Sequence, residues 1–376
     1  MASTLDEKFA FEAEWYDPHA CLIRKYQVLY YVTDNSVEIY DLKNRRQFLK
    51  RSKTEITLTD LYIGSTIAIH SRQFKVVAYG DDYTRRALSN KKERTLGIIK
   101  PDVCDKFDQI LATIYDRGFR VTKMKMCQLS RAEAGDFYQE HGAKSFYNSL
   151  IQFMSSGPII AFELIGDSAI SNWRALIGPT DSATARSEAP TSLRARFGTD
   201  NTQNACHGSD SETSAARELE FFFPSKGPKR RSTACFQDCT LCVIKPHAVL
   251  AGNAGKIISE IKRTGFEITA LQMYNMDRAN AEEFLEIYKG VLQEYKGMVD
   301  EFVTGPCIAM ELRAQNAPTA FREMCGPHDP EIARQLRPRT LRANFGKDKI
   351  CNAVHCTDLP EDALLEVEYF FKILDQ

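Results

Sequence analysis

"LRARFG" at residues 193–198 and "NACHGSDS" at 204–211 return as "LRANFG" at 341–346 and "NAVHCTDL" at 352–359, each 148 residues later. One histidine in polar company is ordinarily a surface or structural residue. Two in the same frame mark a duplicated unit, with a site kept in one copy and altered in the other. Working outward, "SGPIIAFEL" (156–164) pairs with "TGPCIAMEL" (304–312) and "LEFFF" (219–223) with "VEYFF" (367–371), at the same offset. Further upstream the offset shrinks: "GIIKPD" (97–102) precedes "CVIKPH" (242–247) by 145 residues, so the second copy carries small insertions in its first half. A period this long is a duplicated domain and not a solenoid repeat. Between the copies "PSKGPKRRSTA" (224–234) reads as a linker. Its Lys229, Arg230 and Arg231 are most simply solvated, with a docking signal as the alternative.

Each copy alternates strand and helix. "TLGIIK" is an apolar strand ending at Lys100, and Phe107, Ile110, Leu111, Ile114 and Tyr115 follow at helical spacing. Ile257, Ile258 and Ile261 do the same in the second copy, and Gly118 and Gly265 take the usual glycine position after a helix. "FRVTKMKMCQL" predicts a second strand and "PIIAFEL" a buried central one. Ser130-x-x-Glu133 and Ser209-x-x-Glu212 both read as capping boxes opening helices. The order predicts an α+β fold with two ferredoxin-like repeats. The first 90 or so residues stand outside the repeat. "KYQVLYYVTDNSVEIYD" and "TIAIHSRQFKVVAYG" alternate around turns, as hairpins do. The expected organisation is a mostly-β module at 1–91, repeat A at 92–223, a linker at 224–238 and repeat B at 239–376.

Charge balance is close to even, with 49 basic and 50 acidic residues among 376, so nothing global advertises nucleic acid or a membrane. No apolar run approaches the ~18 residues that span a bilayer. The acidic start "MASTLDEKFAFEAEW" lacks a signal pattern, which makes the cytoplasm the expected compartment. The odd count of eleven cysteines favours reduced thiols. The tightest cluster, Cys235, Cys239 and Cys242, lacks an evident fourth ligand for a metal.

The repeated polar residues supply the chemistry. Repeat A offers Lys100, Arg174, Thr180, Arg194, Asn204 and His207. Arginine grips phosphate through bidentate, charge-assisted bonds, and a neutral histidine can form a covalent phosphoryl intermediate. Glu218, eleven residues after His207, is placed to hold one imidazole nitrogen and leave the other free.

"IKPD", "SGP", "LRARFG" and "NACHGSDS" occur in the order and spacing of the nucleoside diphosphate kinases, and "HGSDS" resembles that family's active-site signature. The resemblance covers residues 92–223 and 239–372. It implies that His207 takes the γ-phosphate of a nucleoside triphosphate and passes it to a diphosphate. It also implies that Lys100, Arg174, Thr180 and Arg194 bind phosphates, Lys100 also touching the ribose, and that Asn204 binds the sugar. Ser209 and Glu218 would orient the histidine, Tyr138 would lie beside it and Phe146 would stack on the base. Mg²⁺ would bridge phosphates without protein side-chain ligands. Repeat A departs from the family where "VCDKFDQI" replaces the usual glycine-containing stretch.

Repeat B keeps Lys245, Arg322, Arg342, Asn352, His355 and Glu366, and a glycine-bearing loop, "LAGNAGK". His328 replaces Thr180, "HCTDL" replaces "HGSDS", Leu285 falls at Tyr138 and Phe146 falls near Glu294 and Tyr295, so the expectation is a degenerate second site. The N-terminal "RKYQVLYYVTDNSVEIYD", "FLKR", "IGSTIAIHSRQFKV" and "YGDDYTRRAL" resemble the DM-ten domain, a small PH-like module of axonemal proteins. That resemblance implies tubulin or microtubule-associated partners and a place at the cytoskeleton, centrosome, spindle or ciliary axoneme. Two functional classes follow: a kinase, or a largely non-catalytic component of microtubule assemblies that uses kinase-like folds as docking surfaces.

Overall fold

Strand β9 (Ile159–Gly166) is the apolar run expected at the centre, and seven of its eight residues are buried. It lies in a computed structural model that describes residues 7–17, 20–88 and 93–375. The expected boundary at 91–92 falls outside the described residues.

Residues 7–88 form β1 (Lys8–Asp17), β2 (Leu22–Tyr31), β3 (Ser36–Asp41), β4 (Arg46–Lys53), β5 (Thr66–Ile69) and β6 (Arg72–Tyr79). They make one antiparallel sheet in the order β4-β3-β2-β1-β6-β5. The turns are where the sequence places them: Asn35 takes a positive φ between β2 and β3, and His70 and Ser71 do so between β5 and β6. Tyr26 and Phe48 both meet Phe74 edge-on in the core, with Tyr26 and Phe74 centroids 5.4 Å apart. This sheet packs with residues 275–305 as one unit. Ser71 donates to Asp300 at 2.9 Å, Gln73 donates to the Met276 carbonyl, and Arg278 pairs with Asp300. A stretch whose sequence belongs to repeat B is therefore built into the N-terminal unit.

The other unit holds the rest of both repeats. Repeat A contributes β7 (Glu93–Ile99), β8 (Arg120–Cys127), β9 and β10 (Cys206–Gly208). Repeat B contributes β11 (Cys239–Ile244), β12 (Glu267–Tyr274), β13 (Cys307–Arg313) and β14 (Val354–Cys356). All eight join one sheet in the order β10-β7-β9-β8-β12-β13-β11-β14. The halves mirror each other about the β8–β12 seam, where Gln272 opposes Lys125. Each half has the ferredoxin-like order, so the mixed α+β expectation holds.

The seam is held by apolar and charged contacts. Helix Phe107–Asp116 packs on helix Ala254–Arg263. A Cβ on Gly255 would meet the Ala112 backbone nitrogen at 2.9 Å, so this glycine is required for close helix approach. The glycine-bearing stretch of repeat B thus has a packing reason. Lys125 is buried and pairs with Asp375 at 2.6 Å, to which Gln272 also donates. The inter-repeat segment is docked as well: Arg230 lies over the Phe221 ring and bonds Glu133 at 2.7 Å. The Cys235 and Phe236 amides donate to the buried Glu311 carboxylate at 2.7 and 2.6 Å. Arg230 is consequently not the solvated side chain its composition suggested, because a neighbouring aromatic face and carboxylate replace its water.

One cap differs from expectation. The N-cap of helix Glu212–Phe222 is Ser211, which accepts from the Ser214 amide, and not Ser209. Ser209 is buried, accepts from the Leu96 amide and donates to Glu218. A serine pulled toward a buried carboxylate cannot also cap the helix. Gly255→Leu is expected to lower stability by about 1–3 kcal/mol through overpacking, despite the gain in helix propensity. Urea unfolding of the full chain checks this, and an unchanged midpoint would remove the packing argument.

Candidate functional site

His207 sits in the middle of β10, opposite Ile98 of β7. Ala205, just upstream, takes a left-handed φ of 68°, which turns the chain into this short strand. The Ala205 amide donates to Asp102 at 3.0 Å, and its carbonyl accepts from the Lys100 amide at 2.8 Å. The "IKPD" and "NACH" motifs therefore clamp each other across the sheet edge.

The imidazole is fixed by one carboxylate. Nε2 of His207 lies 2.8 Å from Glu218, which also accepts the Ser209 hydroxyl at 2.8 Å. Burial pushes the Glu218 carboxyl up, but the bonds from His207 and Ser209 and the nearby Arg217 outweigh it and leave the group below its ordinary value. Nδ1 is left without a hydrogen-bond partner among the described residues, on a side chain 20% exposed. Such an arrangement offers one basic nitrogen to an electrophile while the other is held.

The cations gather beside it. Lys100 is buried and donates to Asn204 at 2.7 Å and to the Thr202 carbonyl at 3.2 Å. Burial and the Arg194 charge push its ammonium down to about 8, against the pull of Asp102. Arg194 is half-buried. It donates to the Gly178 and Cys206 carbonyls at 2.7 and 3.0 Å, and its buried Nε has no partner among the described residues. Asn204 donates to the Thr180 carbonyl at 2.9 Å, which brings that exposed residue to the site through its backbone. Arg174 is exposed near the end of helix Ala169–Ile177; the Asp210 carboxyl is held below its ordinary value by the Ser214 and Ser211 hydroxyls, with Arg174 adding to them.

Aromatic rings line one side. Tyr138 lies edge-on to His207 at 6.1 Å, and its buried hydroxyl has no partner among the described residues. His141 stacks on Tyr138 at 6.1 Å and lies 5.8 Å from Phe146, which is 46% exposed. His141, a turn residue by sequence, thus links Tyr138 to Phe146. Two further residues were not singled out. Arg217 ties Glu140 to the Glu218 side at 3.0 and 3.7 Å. Trp173 donates to the His207 carbonyl at 3.1 Å. A Cβ on Gly208 would lie 2.6 Å from the Trp173 ring, so the glycine of "HGSDS" is forced by this tryptophan.

Repeat B preserves the relay and changes its surroundings. His355 Nε2 lies 2.8 Å from Glu366, and the Thr357 hydroxyl donates to the same oxygen at 2.8 Å. Arg342 holds the Gly326 carbonyl at 3.0 Å as Arg194 holds Gly178. However, the His355 side chain is only 6% exposed, and Arg322 is paired with Asp358 at 2.9 Å. In repeat A the corresponding Asp210 instead accepts from Ser211 and Ser214. Asn352 donates to the His328 carbonyl at 3.0 Å, its own carbonyl oxygen is buried without a partner among the described residues, and Lys245 donates to the Ile350 carbonyl. Leu285, Glu294 and Tyr295 belong to the unit containing the N-terminal sheet.

A ferredoxin-like repeat with a carboxylate-held histidine, a buried lysine and two arginines defines a class, and the chain belongs to the nucleoside diphosphate kinase family. The profile described as "Nucleoside diphosphate kinase" matches residues 93–227 and 238–375, and that described as "Nucleoside diphosphate kinase 7 N-terminal PH domain" matches residues 3–90. The chain is similar to the "Nucleoside diphosphate kinase homolog 7" of Rattus norvegicus, at 58% identity over 98% of this chain and 94% of the relative. The Mus musculus protein of the same name is 56% identical over the same shares. Among solved structures, the Aquifex aeolicus nucleoside diphosphate kinase aligns at 46% identity, covering 36% of this chain and 96% of its own, with a TM-score of 0.35. No described helix is long and apolar enough to cross a membrane.

The Gly208–Trp173 contact generates a paired test, because repeat B places Cys356 and Phe321 at these positions. Gly208→Cys alone is expected to destabilise the protein, and adding Trp173→Phe should restore part of the loss. The coupling should be about 0.5–3 kcal/mol, as for other contacting pairs. Additive losses in a denaturation cycle would contradict the contact.

Proposed function

We propose that repeat A is a working nucleoside diphosphate kinase, moving the γ-phosphate of a nucleoside triphosphate to a diphosphate through phosphohistidine at Nδ1 of His207. The observation that carries this reading is the 2.8 Å bond from Glu218 to Nε2, which leaves Nδ1 unpartnered in a partly open site. Attack by Nδ1 on the γ-phosphorus breaks the bond to the β-phosphate oxygen, and Glu218 stabilises the positive charge that develops on the ring. The second half runs in reverse, with the incoming diphosphate oxygen as acceptor. Lys100, Arg174 and Arg194 neutralise the phosphate chain, which is most of what phosphoryl transfer asks of a protein. Thr180 and Asn204 complete the contacts at phosphate and sugar. Phe146, exposed at the end of the Tyr138–His141 file, is a platform for any base, since every base has a π-face.

The donor set near His207 is rich in cationic nitrogen and suits a phosphate chain. Mg²⁺ fits as an ion carried by the phosphates, as it usually does with few protein ligands, and when bound it supplies charge neutralisation. His207→Ala is expected to abolish acid-labile labelling from γ-labelled ATP, while His355→Ala leaves most of it. Equal labelling of wild type and His207→Ala would end this reading.

The buried lysine gives a pH signature. Lys100 loses its charge as pH rises through about 8, whereas a bound phosphate favours the charged form. Nucleotide binding in repeat A should therefore take up a proton and weaken above that pH, by up to about tenfold per unit. Calorimetry in buffers of different ionisation enthalpy reads the proton directly, and Lys100→Met should flatten the profile.

A docking role for the N-terminal module and repeat B is the second reading, with microtubule assemblies at centrosome or cilium as partners. It is favoured by the shut state of the second site, where His355 is nearly covered and Arg322 is engaged by Asp358. Charge-altering variants on the exposed face of β4, such as Lys50→Glu, should reduce centrosomal or ciliary localisation without altering His207 labelling. Unchanged localisation would remove β4 from the docking surface.

A further inference from the structure

One guanidinium in repeat A reaches three parts of the site at once. Arg217 stands in helix Glu212–Phe222, immediately before Glu218. Its Nη1 donates to the carbonyl of Phe137, the last residue of helix Arg131–Phe137, at 3.3 Å. Its Nη2 lies 3.0 Å from the Glu140 carboxylate and 3.7 Å from that of Glu218. Phe137 and Tyr138 both lie edge-on to His207, at 5.4 and 6.1 Å. The segment that supplies this aromatic wall is thus fastened, through one side chain, beside the carboxylate that holds the histidine. A planar fork of donors suits such a junction better than an ammonium on a flexible stem.

A simpler role for Arg217 is to help satisfy the carboxylate. Repeat B argues against it. There the relay is complete, with Glu366 accepting from His355 and Thr357 at the same 2.8 Å. Yet Leu365 stands at the frame of Arg217 and Ile287 at that of Glu140, and both are exposed. The histidine–glutamate–hydroxyl relay therefore assembles without the arginine. An ion pair as exposed as Arg217–Glu140 also contributes little to folding. Both partners of that pair are present in the repeat whose histidine is open and absent from the repeat whose histidine is covered.

We propose that Arg217 is a positioning residue for transfer at His207, clamping the Phe137–Tyr138 wall beside Glu218 so that the nucleotide and Nδ1 keep a fixed separation. The proposal rests on the kinase reading of repeat A. The clamp acts first by geometry: its bonds to the Phe137 carbonyl and Glu140 hold the segment that leads through His141 to Phe146, and small misplacements of reacting groups are costly in rate. It acts second by charge. The titratable and charged groups around Glu218 are His207 from β10, Tyr138 from the end of helix Arg131–Phe137, and Arg217 from its own helix. Burial raises the Glu218 carboxyl, while the bonds from His207 and Ser209 and then the Arg217 charge lower it. Removing that charge favours proton uptake by the His207–Glu218 pair, and a pair that has taken up a proton no longer offers Nδ1 for attack.

The test follows the rate of acid-labile labelling of the full chain from γ-labelled ATP against nucleotide concentration and pH, together with binding of a fluorescent ADP analogue. Arg217→Leu is expected to raise the half-saturating ATP concentration and the Kd of the analogue by about tenfold, as for loss of a hydrogen bond to a charged group. It should also move the acid limb of the labelling rate to higher pH. Glu140→Gln should weaken binding and leave the acid limb in place, because it frees the wall without removing the charge beside Glu218. Arg217→Lys should restore the acid limb and only part of the affinity, since it keeps the charge and loses the fork. Should Arg217→Leu fail to fold, the other two variants decide. Affinity and pH profile of Arg217→Leu equal to wild type, or wild-type affinity in both Glu140→Gln and Arg217→Lys, would overturn the proposal. A wild type that binds the analogue but takes no label would end the kinase reading instead, and the affinities of the variants would still decide whether Arg217 holds the wall.

Discussion

A carboxylate largely withdrawn from water must be satisfied, and both repeats satisfy it in the same way. Glu218 and Glu366 each accept from an imidazole Nε2 at 2.8 Å and from a hydroxyl two residues later at 2.8 Å. Leaving such a group unpaired in a low-dielectric interior is costly. The bond therefore fixes the pairing of strand end with following helix, the ring orientation and the free nitrogen together. In repeat A the hydroxyl also accepts from the Leu96 amide of β7, so the first strand of the repeat is tied to the same constraint.

The repeats share this constraint and differ in what surrounds it. Ser209 and Thr357 are interchangeable because only a hydroxyl is needed. Gly208 and Cys356 are not interchangeable on their own, because the tryptophan in one repeat and the phenylalanine in the other set the space available. Drift in the second signature is therefore coupled substitution at preserved volume, as cores tolerate. Loss of exposure is a separate event. His355 is nearly covered and Arg322 is paired with Asp358, while the histidine–glutamate–hydroxyl bonds beneath are the same as in repeat A.

Much of this was legible in the sequence because it is periodic or repeated. The frame of 148 residues exposed the duplication, and continuous apolar runs marked β7, β9, β11 and β13. Lys100, Arg194, Asn204 and His207, expected from their motifs to share a phosphate site, are brought close together by the fold. What escaped was contact between residues distant in sequence. Nothing in "HGSDS" says that Ser209 would leave the helix cap to Ser211 for a buried glutamate. Nor does the sequence tell that Trp173 enforces Gly208, or that His141 bridges Tyr138 and Phe146. The basic run at 229–231 read as solvated because composition cannot report the Phe221 ring beneath Arg230.

The largest departure from a linear reading is the stretch 275–305. In repeat A the matching stretch supplies Phe137, Tyr138, Leu150 and Met154 to a core shared with Leu219 and Phe222. In repeat B it is built into the unit of the N-terminal sheet, through Ser71, Gln73, Arg278 and Asp300. An element that in one repeat carries the aromatic wall is, in the other, a partner of the N-terminal module. Removing that module would strip Asp300 of Ser71 and the Met276 carbonyl of Gln73. The module and the second repeat are therefore not independent parts, and a phenotype caused by truncating 1–91 reports on both at once. Surface substitutions on the exposed side of β4 leave these bonds intact, which makes them the cleaner means of separating docking from the integrity of repeat B.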